Sequence, residues 1–157
     1  MRWIRSAGLV LAALVCLHAP ASAAGRIAVV VHPSVATTDL TFAQLRNVLL
    51  GNQQFWAGNQ RVTLLVRAPT SDERTVLLRN VYAMSEAQFQ QYWIAKVFRA
   101  EATSGPRIVT SNDQTGLLVK AIPGAIGLVN AAQIPPGVKV LTIDGKRPTE
   151  SGYVLSY

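Results

Sequence analysis

Cysteine, histidine and acid are scarce in this 157-residue chain. It has one cysteine, Cys16, two histidines, His18 and His32, and 8 acidic residues. A disulfide framework needs paired cysteines and is excluded. A zinc site needs three or four nitrogen or sulfur ligands and cannot be assembled. Carboxylate-only metal binding needs clustered acids, yet only Asp72 and Glu73 are neighbours. Side by side on a helix those two point in different directions, so they make a poor general acid–base pair. No metal or other cofactor is expected, and the chain reads as a binder rather than an enzyme. Lys and Arg outnumber the acids 15 to 8, a formal charge of +7, but they form no basic cluster or basic–aromatic stripe. Nucleic acid is therefore not an expected partner. Hydrophobic residues make up 50% of the chain, which excludes a disordered polymer.

The N-terminus carries a three-part export pattern. Met1-Arg2-Trp3-Ile4-Arg5 is a short basic region, Ala7 to Leu17 is apolar or small throughout, and Ala21-Ser22-Ala23 follows Pro20 as an A-x-A cleavage signal. The competing reading is an uncleaved membrane anchor. The apolar run has 11 residues. At ~1.5 Å per residue it reaches about half of a ~30 Å hydrocarbon core. Arg2 and Arg5 are not adjacent, which argues against a twin-arginine signal. Val15, before Cys16, is not small, which argues against lipidation. Residues 1–23 are expected to be a signal peptide and residues 24–157 one exported domain, periplasmic or secreted. Removing the signal leaves 134 residues with no cysteine, with His32 as the one histidine and with a charge of +5. A Ser-His-Asp or Cys-His site would then rest on His32 alone, at the His32-Pro33 turn.

Such a domain is long enough for one core. Arg26 to His32, RIAVVVH, reads as a buried strand stopped by Pro33. Thr41 with Gln44 predicts a capping box, flanked by a Leu40–Leu45 staple, for a helix ending at Gly51. Val62 to Val66 is a second strand, and Asp72 to about Met84 a second helix. Ser85 with Gln88 and Ser111 with Gln114 are two more capping boxes, the first starting a helix with Phe89, Trp93 and Val97 on one face. Strands follow at 107–110, 125–130 and 138–143. The order β-α-β-α-α-β-α-β-β predicts an α/β fold around a mostly parallel sheet. Trp56 and Trp93 are expected in packing roles, and the Tyr153–Tyr157 tail as an edge strand rather than a docking segment.

The segment Arg67 to Arg74, RAPTSDER, is a strand end, a short polar loop and a helix start. Ligands of open α/β sheets bind outside the carboxyl ends of strands, and a helix's first turn offers free amides to an oxyanion. The candidate anion-binding residues are Arg67, Thr70, Ser71, Asp72 and Arg74: two guanidinium groups, two hydroxyls and the first turn of the helix. The same stretch also spells T-x-x-E, a capping box closed on itself, in which Glu73 takes the free amides and the two arginines neutralise Asp72 and Glu73. Both readings stand on the local sequence.

Four stretches, in order, resemble the phosphate-binding proteins of ABC transporters, in the type II periplasmic binding protein superfamily. Asp39-Leu40-Thr41 through Gly51, with Trp56-Ala57-Gly58, is similar to the family's Leu-Thr…Gln-Leu…Ile-Phe-x-Gly…Trp segment. Arg67 to Arg74 is similar to its Arg-x-x-Gly-Ser-Gly-Thr loop, and Pro123 to Val129 to Pro-Gly-Ala-Ile-Gly-Tyr-Val. Gly145 to Thr149 with Tyr153 is similar to Gly-x-x-Pro-Thr…Tyr-x-Leu. The resemblance implies one three-layer lobe of a two-lobed fold. It places Arg67 and Ser71 on the family's ligand-binding Arg and Ser, and Asp72 and Glu73 where the family has Gly and Thr. Two functions follow as expectations. One is an exported domain binding a small oxyanion such as phosphate weakly, with an ABC permease as partner and a homodimer supplying the missing wall. The other is a protein-interaction module of the cell envelope that keeps the fold without the ligand.

Overall fold

The computed structural model describes residues 25–157; the expected signal peptide lies outside the described residues. The central sheet has five strands in the order β4-β3-β5-β1-β6. They are β1 (Ile27–Val31), β3 (Thr63–Arg67), β4 (Arg107–Val109), β5 (Ala125–Asn130) and β6 (Lys139–Val140). β3 runs parallel to β4 and β5, while β1 is antiparallel to both β5 and β6. Four of the five strands therefore point the same way, as a mostly parallel sheet requires. A second, two-stranded parallel sheet joins β2 (Asp39–Leu40) to β7 (Thr142–Ile143).

Each residue of β1 has no exposed surface. Ile27, Val29 and Val31 belong to the core under α1 (Phe42–Leu49), α2 (Asp72–Val76) and α3 (Glu86–Phe98), whereas Ala28 and Val30 belong to the core under α4 (Asn112–Ala121). A strand turns successive side chains to opposite faces, so an unbroken apolar run needs cover on both. Three layers result, helix on sheet on helix.

Local rules account for most boundaries. Thr41–Gln44 and Ser85–Gln88 form reciprocal capping boxes at the starts of α1 and α3. Leu40 and Leu45 are both buried in the same core. Trp56 and Trp93 are buried, and the Trp56 indole donates to the Gly124 carbonyl at 2.8 Å. The C-terminal tail pairs with the start of β1 through the antiparallel bridge Arg26–Ser156, and Tyr153 donates to the Ile27 carbonyl at 2.8 Å.

Three expectations are corrected. The helix from Asp72 does not run as one α-helix: α2 ends at Val76 and continues as π-helical turns over Leu77–Tyr82, stopping at Ala83 with φ +53. The wider turns bury Leu77, Val81 and Tyr82, and the Tyr82 hydroxyl donates to the Leu49 carbonyl on α1. The box at Ser111 closes elsewhere: Ser111 caps the Gln114 amide at 3.0 Å, but the Gln114 side chain accepts from Thr110 at 2.6 Å. The expected strand 138–143 breaks at the buried Leu141, which sends Lys139–Val140 to the central sheet and Thr142–Ile143 to β2. Asp39–Leu40, unforeseen as a strand, supplies that pairing, and Asp39 accepts from the Thr142 hydroxyl at 2.5 Å.

Two glycines of the Pro123–Val129 stretch have steric reasons. Gly124 has φ +83, and a Cβ there would lie 2.1 Å from the Arg61 carbonyl oxygen. Gly127 lets α4 approach β5, since its Cβ would meet the Thr115 methyl at 2.6 Å. Gly124→Ala is expected to destabilise the protein by at least about 2 kcal/mol through a strained φ and a backbone clash. Gly127→Ala is expected to cost about 1–3 kcal/mol by overpacking. Urea unfolding measures both, and an unchanged midpoint for either would contradict this packing.

Candidate functional site

The chain leaves β3 and β4 on opposite sides. After β3 it passes through α2 and α3, which pack over one core, and after β4 it passes through α4, which packs over the other. Neighbouring parallel strands whose exits diverge leave a crevice at their carboxyl ends, where ligands of open α/β sheets bind. By that rule the crevice belongs beside Arg67 and Val109, the paired last residues of β3 and β4.

Arg67 spans it. Its Nη1 donates to Asn112 Oδ1 on α4 at 2.9 Å and lies 3.7 Å from Glu73 Oε1 on α2. The two side chains of that ion pair are only 13% and 7% exposed. Arg67 Nε is buried and has no hydrogen-bond partner among the described residues. Asn112 Oδ1 also accepts from the Asn130 amide at 3.3 Å, which ties the end of β5 to the cluster. Beyond it stands Tyr157, half exposed; partial burial and the nearby Asp72 and Glu73 carboxylates raise its phenol above the ordinary value.

Ser71 is the N-cap of α2, accepting from the Arg74 amide at 3.2 Å while its hydroxyl donates to the Ala68 carbonyl at 3.0 Å. The capping box proposed for Thr70 and Glu73 therefore does not form. Thr70 has φ +74, outside the extended conformation of a helix cap, and the cap passes one residue on. Thr70 and Asp72 are both exposed. Glu73, freed from capping, is buried beside Arg67.

Arg74 turns away from the crevice. It is 3% exposed, its Nε and Nη2 donate to the Glu86 carboxylate at 3.1 and 2.5 Å, and its guanidinium sits 4.1 Å from the centre of the Phe89 ring. A third bond, at 3.4 Å, reaches back to the Arg67 carbonyl. Of the five candidates, Arg67 ends β3 and bonds across to Asn112, Ser71 caps α2, Thr70 and Asp72 are exposed beside it, and Arg74 is taken up by Glu86. Sequence reasoning missed Asn112, Asn130 and Glu86. Asn112 had a usable signal, since it opens a capped helix directly after a strand, as Asp72 does.

Among the described residues, no group of three or more His, Cys, Asp or Glu is placed to hold a metal, and no helix is long and apolar enough to cross a membrane. No protein-family model and no curated protein matches the chain. Solved structures do. The ABC-type phosphate transport receptor from Vibrio cholerae superposes with a TM-score of 0.63 at 20% identity, over 79% of this chain and 48% of that one. PstS from Borrelia burgdorferi gives 0.61 at 17%, over 83% and 53%. The phosphate-binding protein from Stenotrophomonas maltophilia gives 0.52 at 19%, over 79% and 40%. The chain has the fold of these proteins and spans about half their length or less.

The Arg74–Glu86 pair makes stability depend on acid. Hydrogen bonds from Arg74 hold the Glu86 carboxyl below its ordinary value of 4.5 in the folded protein. A group whose pKa is lowered by folding contributes fully above its unfolded value and loses that contribution as pH falls through the folded one. Glu86→Gln is expected to lower the thermal midpoint at neutral pH and to flatten its fall below the ordinary carboxylate value. Parallel acid titrations followed by circular dichroism check this, and identical profiles for the two proteins would refute it.

Proposed function

We propose that the chain is an exported domain, freed of residues 1–23, that recognises a small oxyanion of the phosphate class at Arg67 and Ser71 and holds that seat partly filled with its own Glu73. The observation that carries this is the Arg67–Glu73–Asn112 cluster at the divergence of β3 and β4. Once Glu73 is displaced, the Arg67 guanidinium, whose buried Nε has no partner among the described residues, has two N–H groups to offer an oxyanion. The adjacent carboxylate opposes it. An incoming anion must displace Glu73 from a pair with little solvent to screen it. Affinity is expected near the millimolar scale, roughly −4 kcal/mol. The solved structures that share the fold are described as phosphate-binding or phosphate-transport proteins, which supports the ligand class and a transport setting with a permease as partner.

A second reading is favoured by the commitments of Arg74 and Ser71, which are bonded within the protein. On that reading Glu73 replaces the ligand for good, and the fold serves as an interaction module for an envelope protein or a second copy of the chain.

Calorimetric titration with phosphate separates the two. Wild-type protein is expected to bind weakly, Glu73→Gln about tenfold more tightly, and Arg67→Ala not measurably. Silence from both wild type and Glu73→Gln up to tens of millimolar would sink the anion-binding reading and leave the interaction module.

A further inference from the structure

The opposite end of the same strands holds a cavity of about 260 Å³. It opens at the N-terminal ends of β3 and β4, roughly 13 Å along β3 from Arg67 at ~3.3 Å per residue. Buried Trp93 and half-buried Val62 and Leu64 give it an apolar wall, and exposed Arg61, Thr103 and Arg107 surround its mouth. Its lining contains no acid. Glu101, close by in sequence, is bonded to Arg99 at 2.7 Å and lies 3.8 Å from Lys96, so its charge is already matched. Arg61 is held in place: Nη2 donates to the Thr103 hydroxyl at 2.8 Å, and the guanidinium lies 5.9 Å from the centre of the Phe55 ring. A guanidinium has five N–H donors, so most of its donor capacity remains for a ligand.

We propose that this cavity binds a small amphipathic carboxylate, with the apolar part against Trp93, Val62 and Leu64 and the carboxylate at Arg61. The lining is mixed, with Gln53, Gln54 and Thr63 beside the apolar side chains, which suits a ligand that is itself part polar and part apolar, and this volume lies just under the ~300–1,000 Å³ of sites for drug-sized ligands. The charge at the mouth selects an anion, and the wall selects an aliphatic or aromatic body over a bare inorganic ion. This site is separate from the Arg67 seat and does not depend on it.

Octanoate is the probe, titrated calorimetrically into the purified protein. Saturable one-to-one binding is expected, weakened at least fivefold by Arg61→Gln and abolished by Ala102→Leu, which fills the cavity from its lining. Circular dichroism checks that each variant keeps its fold; Arg61→Gln changes an exposed side chain, so it tests the site even if Ala102→Leu unfolds. Excess phosphate is expected to leave octanoate binding unchanged. Absence of saturable binding to wild type, binding unaltered by Arg61→Gln or by a folded Ala102→Leu, or competition by phosphate would each overturn the proposal.

Discussion

The complete burial of β1 is the constraint from which the architecture follows. Five consecutive apolar residues with no surface of their own require a neighbouring strand on each edge and a layer of helices on each face. β5 and β6 fill the edges, both antiparallel to β1. The helices divide unequally, with α1 to α3 on the larger core and α4 on the smaller. That division makes the exits of β3 and β4 diverge, and the divergence creates the crevice at Arg67. The position of the candidate site is thus a consequence of how a buried strand is covered.

Within the crevice, chemistry is set by which charges find internal partners. Arg74 is spent beneath the loop on Glu86 and Phe89, where it holds α2 to α3. Arg67 has a weaker, longer contact with Glu73 and a neutral bond to Asn112. Two arginines seven residues apart, alike in sequence, therefore have different roles: one is a structural cation, the other a partly satisfied one at a ligand-binding edge. The two neighbouring acids divide in the same way, Asp72 facing solvent and Glu73 facing Arg67.

Much of this was legible in the sequence because it rests on short-range rules. The RIAVVVH strand, the Thr41 and Ser85 caps and the placement of Trp56 and Trp93 depend on neighbours a few residues away or on bulk apolarity, and the structure has them. The failures are long-range. The π-helical turns after Val76 answer to a Tyr82 contact with Leu49, and the break at Leu141 answers to a partner strand a hundred residues earlier. In the site, the sequence pointed to the Arg67–Arg74 loop but not to the fate of its charges. Glu86 lies on the next helix and Asn112 across the sheet, and no local pattern reveals which arginine each would meet. T-x-x-E offers Thr70 as a cap, and only its backbone conformation, invisible in the sequence, passes the cap to Ser71.

The pairing of the C-terminal tail with the start of β1 has a consequence for how this unit relates to larger proteins. The Tyr157 amide donates to the Gly25 carbonyl at 2.8 Å, and Arg26 donates to the carbonyls of Pro148 and Glu150, both at 2.8 Å. Gly25 and Tyr157, 132 positions apart, therefore stand side by side. A segment whose two sides meet this way can be bordered by further chain at both places without strain on either junction.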